Sequence, residues 1–128
     1  MATWDDVRRL ALALPETEEV TSGYGWISWR VKDKLFAWER PLRKTDLAAL
    51  GDAAPEGPVL AAYVPDEGAK LALLADDPGS YFTTPHFDGH PSVLVRLAEL
   101  PADELEELLK EAWLARAPKR VARDFLGS

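Results

Sequence analysis

The chain has 128 residues, of which 47% are hydrophobic and 29% charged, with five Trp. That is enough apolar surface to close a core and too much for an intrinsically disordered or collagen-like chain, so one globular domain over residues 1–128 is expected. With no Cys, disulfides, thiolate catalysis and Cys-ligated metal centres are excluded, and a reducing, cytoplasmic location is the expectation.

No stretch reaches the roughly 18 to 20 apolar residues of a bilayer span, and the N-terminus lacks a basic region followed by an apolar block, so neither membrane insertion nor secretion is expected. The formal charge of −7 and the isoelectric point near 4.8 oppose indiscriminate attraction to phosphate. The average conceals two basic islands. Residues 28–44 hold Arg30, Lys32, Lys34, Arg40, Arg43 and Lys44 against two carboxylates, and residues 114–124 hold Arg116, Lys119, Arg120 and Arg123 against one. If the islands share a face, they form an anion site; the plainer reading is that they solvate a hairpin and a helix end.

In chain order, Thr3 can cap a helix whose Trp4, Val7, Leu10, Ala11 and Leu14 recur at three and four, and Pro15 ends it. Glu16 to Glu19 then reads as an acidic loop. Two aromatic and β-branched runs, Trp26–Val31 and Leu35–Arg40, flank Lys32-Asp33-Lys34 and predict a hairpin that stops at Pro41. A short helical turn is expected after Thr45-Asp46, then a loop over 51–58 rich in Ala, Gly and Pro, then a strand over Val59–Val64.

Pro65-Asp66-Glu67 opens a helix that carries Lys70, Leu71, Leu73 and Leu74 to a stop at Asp76–Gly79. Tyr81–Thr84 and Ser92–Leu97 read as strands around the loop Pro85–Pro91. From Pro101, the stripe Leu105, Leu108, Leu109, Ala112 and Trp113 marks a long helix. Ala117-Pro118 breaks it, and a basic helix with Val121, Ala122 and Phe125 inward follows. The resulting order predicts an α+β fold of two layers, an antiparallel sheet with helices on one face.

Several strings resemble the MmcQ/YjbR family of small bacterial proteins: Ala13–Glu18, Trp29–Ala37, Tyr81–Gly89, Val93–Leu97, and Ala112-Trp113 through Ala117–Arg120. Together they span most of the chain, and none is a catalytic signature. The resemblance implies a YjbR-like α/β sandwich whose hairpins have been likened to the wings of a double-wing DNA-binding motif. This is a likeness of shape, and shape alone transfers function weakly.

The first hairpin is the main candidate site. Lys32 and Lys34 at its turn, with Arg30 and Arg40 on its strands, can meet phosphates while Trp29 and Trp38 stiffen the ribbon beneath. The turn lacks an Asn, Gln or Arg at its tip for bidentate base contacts, so binding would be to backbone. The plainer reading has the Trp residues in the core and the lysines guarding a sheet edge. Arg43, Lys44, Lys119, Arg120 and Arg123 complete the candidate nucleic-acid surface, with Arg116 beside Lys119 and Arg123 if the kink is mild. Its competitor is that these cations complement the preceding acidic helix, where Glu104, Glu107 and Glu111 offer partners.

His86-x-Asp88-x-His90 gathers both histidines around a carboxylate, three ligands where a tetrahedral metal wants four, so no metal or other cofactor is expected. The loop instead reads as capped internally, with the Thr83 and Thr84 hydroxyls in its network, or as a ligand contact formed by His86, His90 and Arg96. No serine lies in a nucleophile elbow and no glycine-rich phosphate loop occurs, so no catalytic residue is assigned.

The function expected from these features is weak, non-sequence-specific DNA binding by a monomer without an obligate protein partner. Four to six cations would give a salt slope of about −4 to −5 on duplex DNA. The alternatives are an adaptor for a small ligand or a protein on an aromatic sheet face (Trp26, Trp29, Trp38, Tyr63), and an enzyme acting on a small anion at His86, His90 and Arg96.

Overall fold

A computed structural model describes residues 2–23, 25–55 and 57–127; Glu56, within the expected 51–58 loop, lies outside the described residues. The elements in chain order are α1 (Trp4–Leu12), β1 (Thr17–Thr21), β2 (Ile27–Val31), β3 (Lys34–Glu39), α2 (Lys44–Leu50), β4 (Val59–Tyr63), α3 (Glu67–Asp76), β5 (Tyr81–Phe82), β6 (Ser92–Arg96), α4 (Ala102–Arg116) and α5 (Lys119–Leu126). The strands form one antiparallel sheet in the order β1-β2-β3-β4-β6-β5. The fold is α+β, and the long helices lie against one face of the sheet.

The N-terminal helix starts as its sequence dictates. Thr3 Oγ1 accepts from Asp6 N–H at 3.3 Å, and Asp6 accepts from Thr3 N–H at 2.9 Å, a reciprocal cap. The segment expected to be an acidic loop is instead β1, because Thr17, Val20 and Thr21 favour extended backbone and β2 offers an edge to pair with. Glu19 is partly covered there, accepting from Trp29 Nε1 at 2.9 Å and from Arg8 Nε at 3.0 Å. With β1 outside it, the β2–β3 hairpin is not a sheet edge, so its lysines guard none.

That hairpin turns through Lys32 and Asp33, both with positive φ (49° and 68°), the two-residue turn whose twist matches paired strands. A bulge follows at Trp29/Arg30, where Trp29 pairs with Ala37 and Arg30 with Leu35. Phe36 and Ala37 therefore both face the helices and are fully buried, while Leu35 moves to the other face beside Arg30.

The main core lies between the sheet and α1, α3, α4 and α5, around Trp29, Phe36, Leu60, Val95, Leu105 and Trp113. Trp113 donates from Nε1 to Pro15 O at 3.0 Å, tying α4 to the end of the first helix. A smaller cluster on the opposite face joins Ala61, Phe82, Phe87 and Leu94, with Leu50 of α2 and Leu42 packed against it. The second face is thus covered over β4, β6 and β5 and open over β1 to β3, and the step between the two halves positions the site.

Candidate functional site

Along β2 the side chains alternate. Trp29 and Val31 enter the core, whereas Ser28 and Arg30 rise from the open face, with Trp38 opposite Ser28 on β3. The expectation that Trp29 and Trp38 lie together beneath the ribbon is corrected by this register. Trp29 is buried and stacks on Trp4 with ring centroids 6.3 Å apart; Trp38 is on the opposite face. Trp29 accordingly cannot serve an aromatic binding face, while Trp26, 44% exposed, and Trp38 can.

A groove of about 610 Å³ runs along the step, with Ser28, Arg30 and Trp38 as its floor and Arg40, Arg43 and the loop 85–90 as its wall. Arg40 is fixed rather than free. It is 7% exposed, pairs with the equally buried Asp46 at 3.2 Å, donates to Pro41 O, and lies 5.2 Å from the Phe87 ring centre. Asp46 also accepts from Arg43 N–H at 2.9 Å. Burial pushes the Asp46 carboxyl upward, but the Arg43 amide, the Arg40 charge and the neighbouring Thr84 hydroxyl outweigh it and hold it below the ordinary carboxylate value.

Beside these arginines the groove is aromatic. Tyr63 contacts Trp38 at 5.7 Å and His90 at 5.5 Å between ring centres, and Phe87 lies between Trp38 and the two histidines. His90 Nδ1 is 2.7 Å from Ser92 Oγ. Burial, then the charges of Lys70, His86 and Arg116, lower the His90 pKa, favouring neutral imidazole. Arg116 is the one member of the C-terminal island that reaches this face. It donates to Leu35 O at 2.8 Å and lies over the Tyr63 ring at 4.4 Å.

The loop is held by a residue the sequence reading passed over. Lys70 on α3 is 2% exposed, and its Nζ donates to Phe87 O at 2.6 Å and His90 O at 3.0 Å. The expected threonine network does not close around the loop: Thr83 Oγ1 and Thr84 Oγ1 are buried without a well-formed hydrogen bond among the described residues, and Thr84 faces Asp46 instead. A lysine in the middle of an otherwise small and apolar helical stretch, Ala69 to Leu74, was the available signal. Among the described residues no three His, Cys, Asp or Glu side chains are grouped to hold a metal.

The remaining candidates are dispersed. Lys34 and Lys44 are exposed at the ends of β3 and α2 without an ion-pair partner among the described residues, and Lys32 pairs with Glu16 at 3.3 Å. Arg96 is at the far end of β6, over the Phe82 ring at 4.6 Å and bonded to Pro78 O at 3.2 Å, away from His86 and His90. Arg120 flanks a separate cleft with Pro15, Glu16 and Asp124 on the helical side. Lys119 and Arg123 share its helix, which packs inward through Val121 and through Phe125 on Trp113. The two islands meet at the hairpin end rather than along the groove: Lys32 pairs with Glu16, which also lines the Arg120 cleft, and Arg116 donates to Leu35 O beside Lys34. Among the described residues no ion pair joins the C-terminal arginines to the carboxylates of α4, and Lys110 on α4 itself pairs with Glu107 at 3.7 Å.

No helix among the described residues is long and apolar enough to cross a membrane. The uncharacterized proteins Rv2570 of Mycobacterium tuberculosis and Mb2600 of Mycobacterium bovis are each 55% identical over 131 residues, covering 100% of this chain and 98% of theirs. The crystal structure of Deinococcus radiodurans protein DR2400, with a DUF419 domain, superposes with a TM-score of 0.69 at 24% identity, over 99% of this chain and 89% of that one. The YjbR family model matches residues 12–115, and with most of its length and its sheet accounted for in this way the chain belongs to the YjbR family.

Proposed function

We propose that this protein binds single-stranded nucleic acid, as a monomer, along the open half of its sheet. The observation that carries the reading is the groove in which Arg30 and Arg43, neither ion-paired among the described residues, flank the Trp38 ring. Cations at the margin of a stacking surface are what a flexible strand needs, since phosphates take the charge and any base can stack. Lys34 and Lys44 extend the track, whereas Arg120 and Arg123 take no part. Glu18, the cross-strand partner of Arg30, and Glu39, which accepts from Ile27 N–H at 3.2 Å, keep the site weak.

Fluorescence anisotropy with a labelled oligothymidine and a duplex of equal length, at two salt concentrations, tests this. Four contacts predict a slope of about −3 on the single strand. An Arg30→Glu, Arg43→Glu variant should lose binding, and one that binds unchanged would remove the groove from the proposal.

A second reading is favoured by the wall that Arg40, Arg43 and the pinned loop raise on one side, which encloses a volume suited to a small ligand. It predicts that a mononucleotide competes as well as the oligonucleotide does.

A further inference from the structure

On the helical side, far in the fold from the arginine groove, α3 and α4 splay apart and leave a second, larger groove of about 750 Å³. Its floor is apolar: Val64, Ala69, Leu73 and Leu108, with Ala72 on the near wall. Its rim is formed by six carboxylates, Asp76 and Asp77 from the end of α3 and Asp103, Glu104, Glu107 and Glu111 from α4, with no Lys or Arg among the lining residues. Lys110 pairs with Glu107 from the side and offsets one of the six.

At the bottom sits Tyr81. Its place opposite Val95 on β5 buries it to 6% exposure, yet its hydroxyl has no hydrogen-bond partner among the described residues. Burial, then the negative charges of Glu104 and Asp77, push the phenol up to about 12, so it stays a proton donor and the field in the groove is negative.

We infer that this groove binds an organic cation with an apolar body, seated against Leu73, Leu108 and Tyr81 with its charge among the α3 and α4 carboxylates. The charge of the rim selects the sign of the ligand. The floor selects against a purely polar cation, because covering it with water-loving groups recovers no apolar burial. The volume is within the range of small-molecule sites, and the Tyr81 hydroxyl supplies a directional contact for an acceptor on the same ligand.

The test uses the intact protein with tetraphenylphosphonium and tetraphenylborate, which share shape and apolar surface but differ in sign, and with spermine as a cation lacking an apolar body. Calorimetry and ¹⁵N chemical shifts should show tetraphenylphosphonium binding with shifts confined to α3, α4 and Tyr81, and weaker binding of the other two. Glu104→Gln with Glu111→Gln should weaken it about tenfold, since each removes a charge across partly solvated space. Ala72→Trp, at an exposed helical position that leaves folding intact, should fill the groove and abolish it.

Equal binding of tetraphenylborate or of spermine, or undiminished binding by Ala72→Trp, would overturn the inference. So would failure of tetraphenylphosphonium where a basic amphipathic peptide shifts the same resonances, which would make the groove a docking surface for a protein segment.

Discussion

Replacing Lys70 with Met isolates what holds the loop of the candidate site. The substitution keeps the length of the side chain and removes the ammonium that donates to Phe87 O and His90 O at 2.6 and 3.0 Å. A bond from a charged donor contributes roughly 1.5–3 kcal/mol, and neither carbonyl is orphaned by its loss, since Phe87 O keeps His90 N–H and His90 O keeps Ser92 N–H. Against this, the variant no longer desolvates an ammonium that is 2% exposed in the wild type. The opposing terms leave a net destabilisation of about 2 kcal/mol. For a chain of 128 residues this lowers Tm by about 8 °C.

Urea unfolding followed by circular dichroism reads the free energy. Hydrogen exchange reads its location: the amides of Phe87 and His90, which bond to Thr84 O and Phe87 O, should lose protection before those of β4. Unfolding within about 0.5 kcal/mol of wild type, with unchanged exchange at these two amides, would refute the idea that Lys70 organises the loop.

Other outcomes follow from the same structure. Lys32→Asn with Asp33→Gly should stabilise the hairpin by about 1 kcal/mol in chemical denaturation, because Asn-Gly adopts positive φ with less strain, and the exposed Lys32–Glu16 pair contributes little. Glu18→Gln should tighten oligonucleotide binding by removing the anion opposite Arg30, read by anisotropy at low salt.

The folded-state pKa of His90 lies below its ordinary 6.5, so the unfolded chain binds more protons there, and stability is lost as pH falls from 6.5 through the folded value. His90→Gln should flatten that part of the pH–stability curve, and the imidazole should titrate below 6.5 by NMR. Asp46 behaves as a lowered carboxylate: its contribution is present above 3.8 and disappears as pH falls through its folded value, a component that Asp46→Asn should lack in acid unfolding curves.

Much of the architecture is legible in the sequence because its signals are local. The α4 stripe, the Thr3 cap and the aromatic runs around Lys32-Asp33 each state their element within a dozen residues. Glu16 to Glu19 misleads because its carboxylates look solvated; only the donors Trp29 Nε1, on the neighbouring strand, and Arg8, on α1, give Glu19 a reason to be in a strand. The hairpin bulge is invisible in the sequence, and by shifting register it decides that Leu35 rather than Phe36 accompanies Arg30 on the open face.

The site is half legible. Charge clustering identifies Arg30, Arg40 and Arg43, but not that Arg40 is committed to Asp46, nor that Arg116 parts from Arg120 to stack on Tyr63. Those outcomes depend on which side of the sheet each element passes, which no short window encodes.

The two grooves, one bordered by arginines on the sheet side and one by six carboxylates between α3 and α4, give the protein a sizeable electric dipole moment despite its net negative charge. In the field of a nearby polyanion the protein experiences a torque before any contact, one that turns the β2–β3 surface toward the polyanion and the α3–α4 surface away. Encounter is thus pre-oriented at low ionic strength, and the orienting effect fades once the Debye length falls below the thickness of the fold.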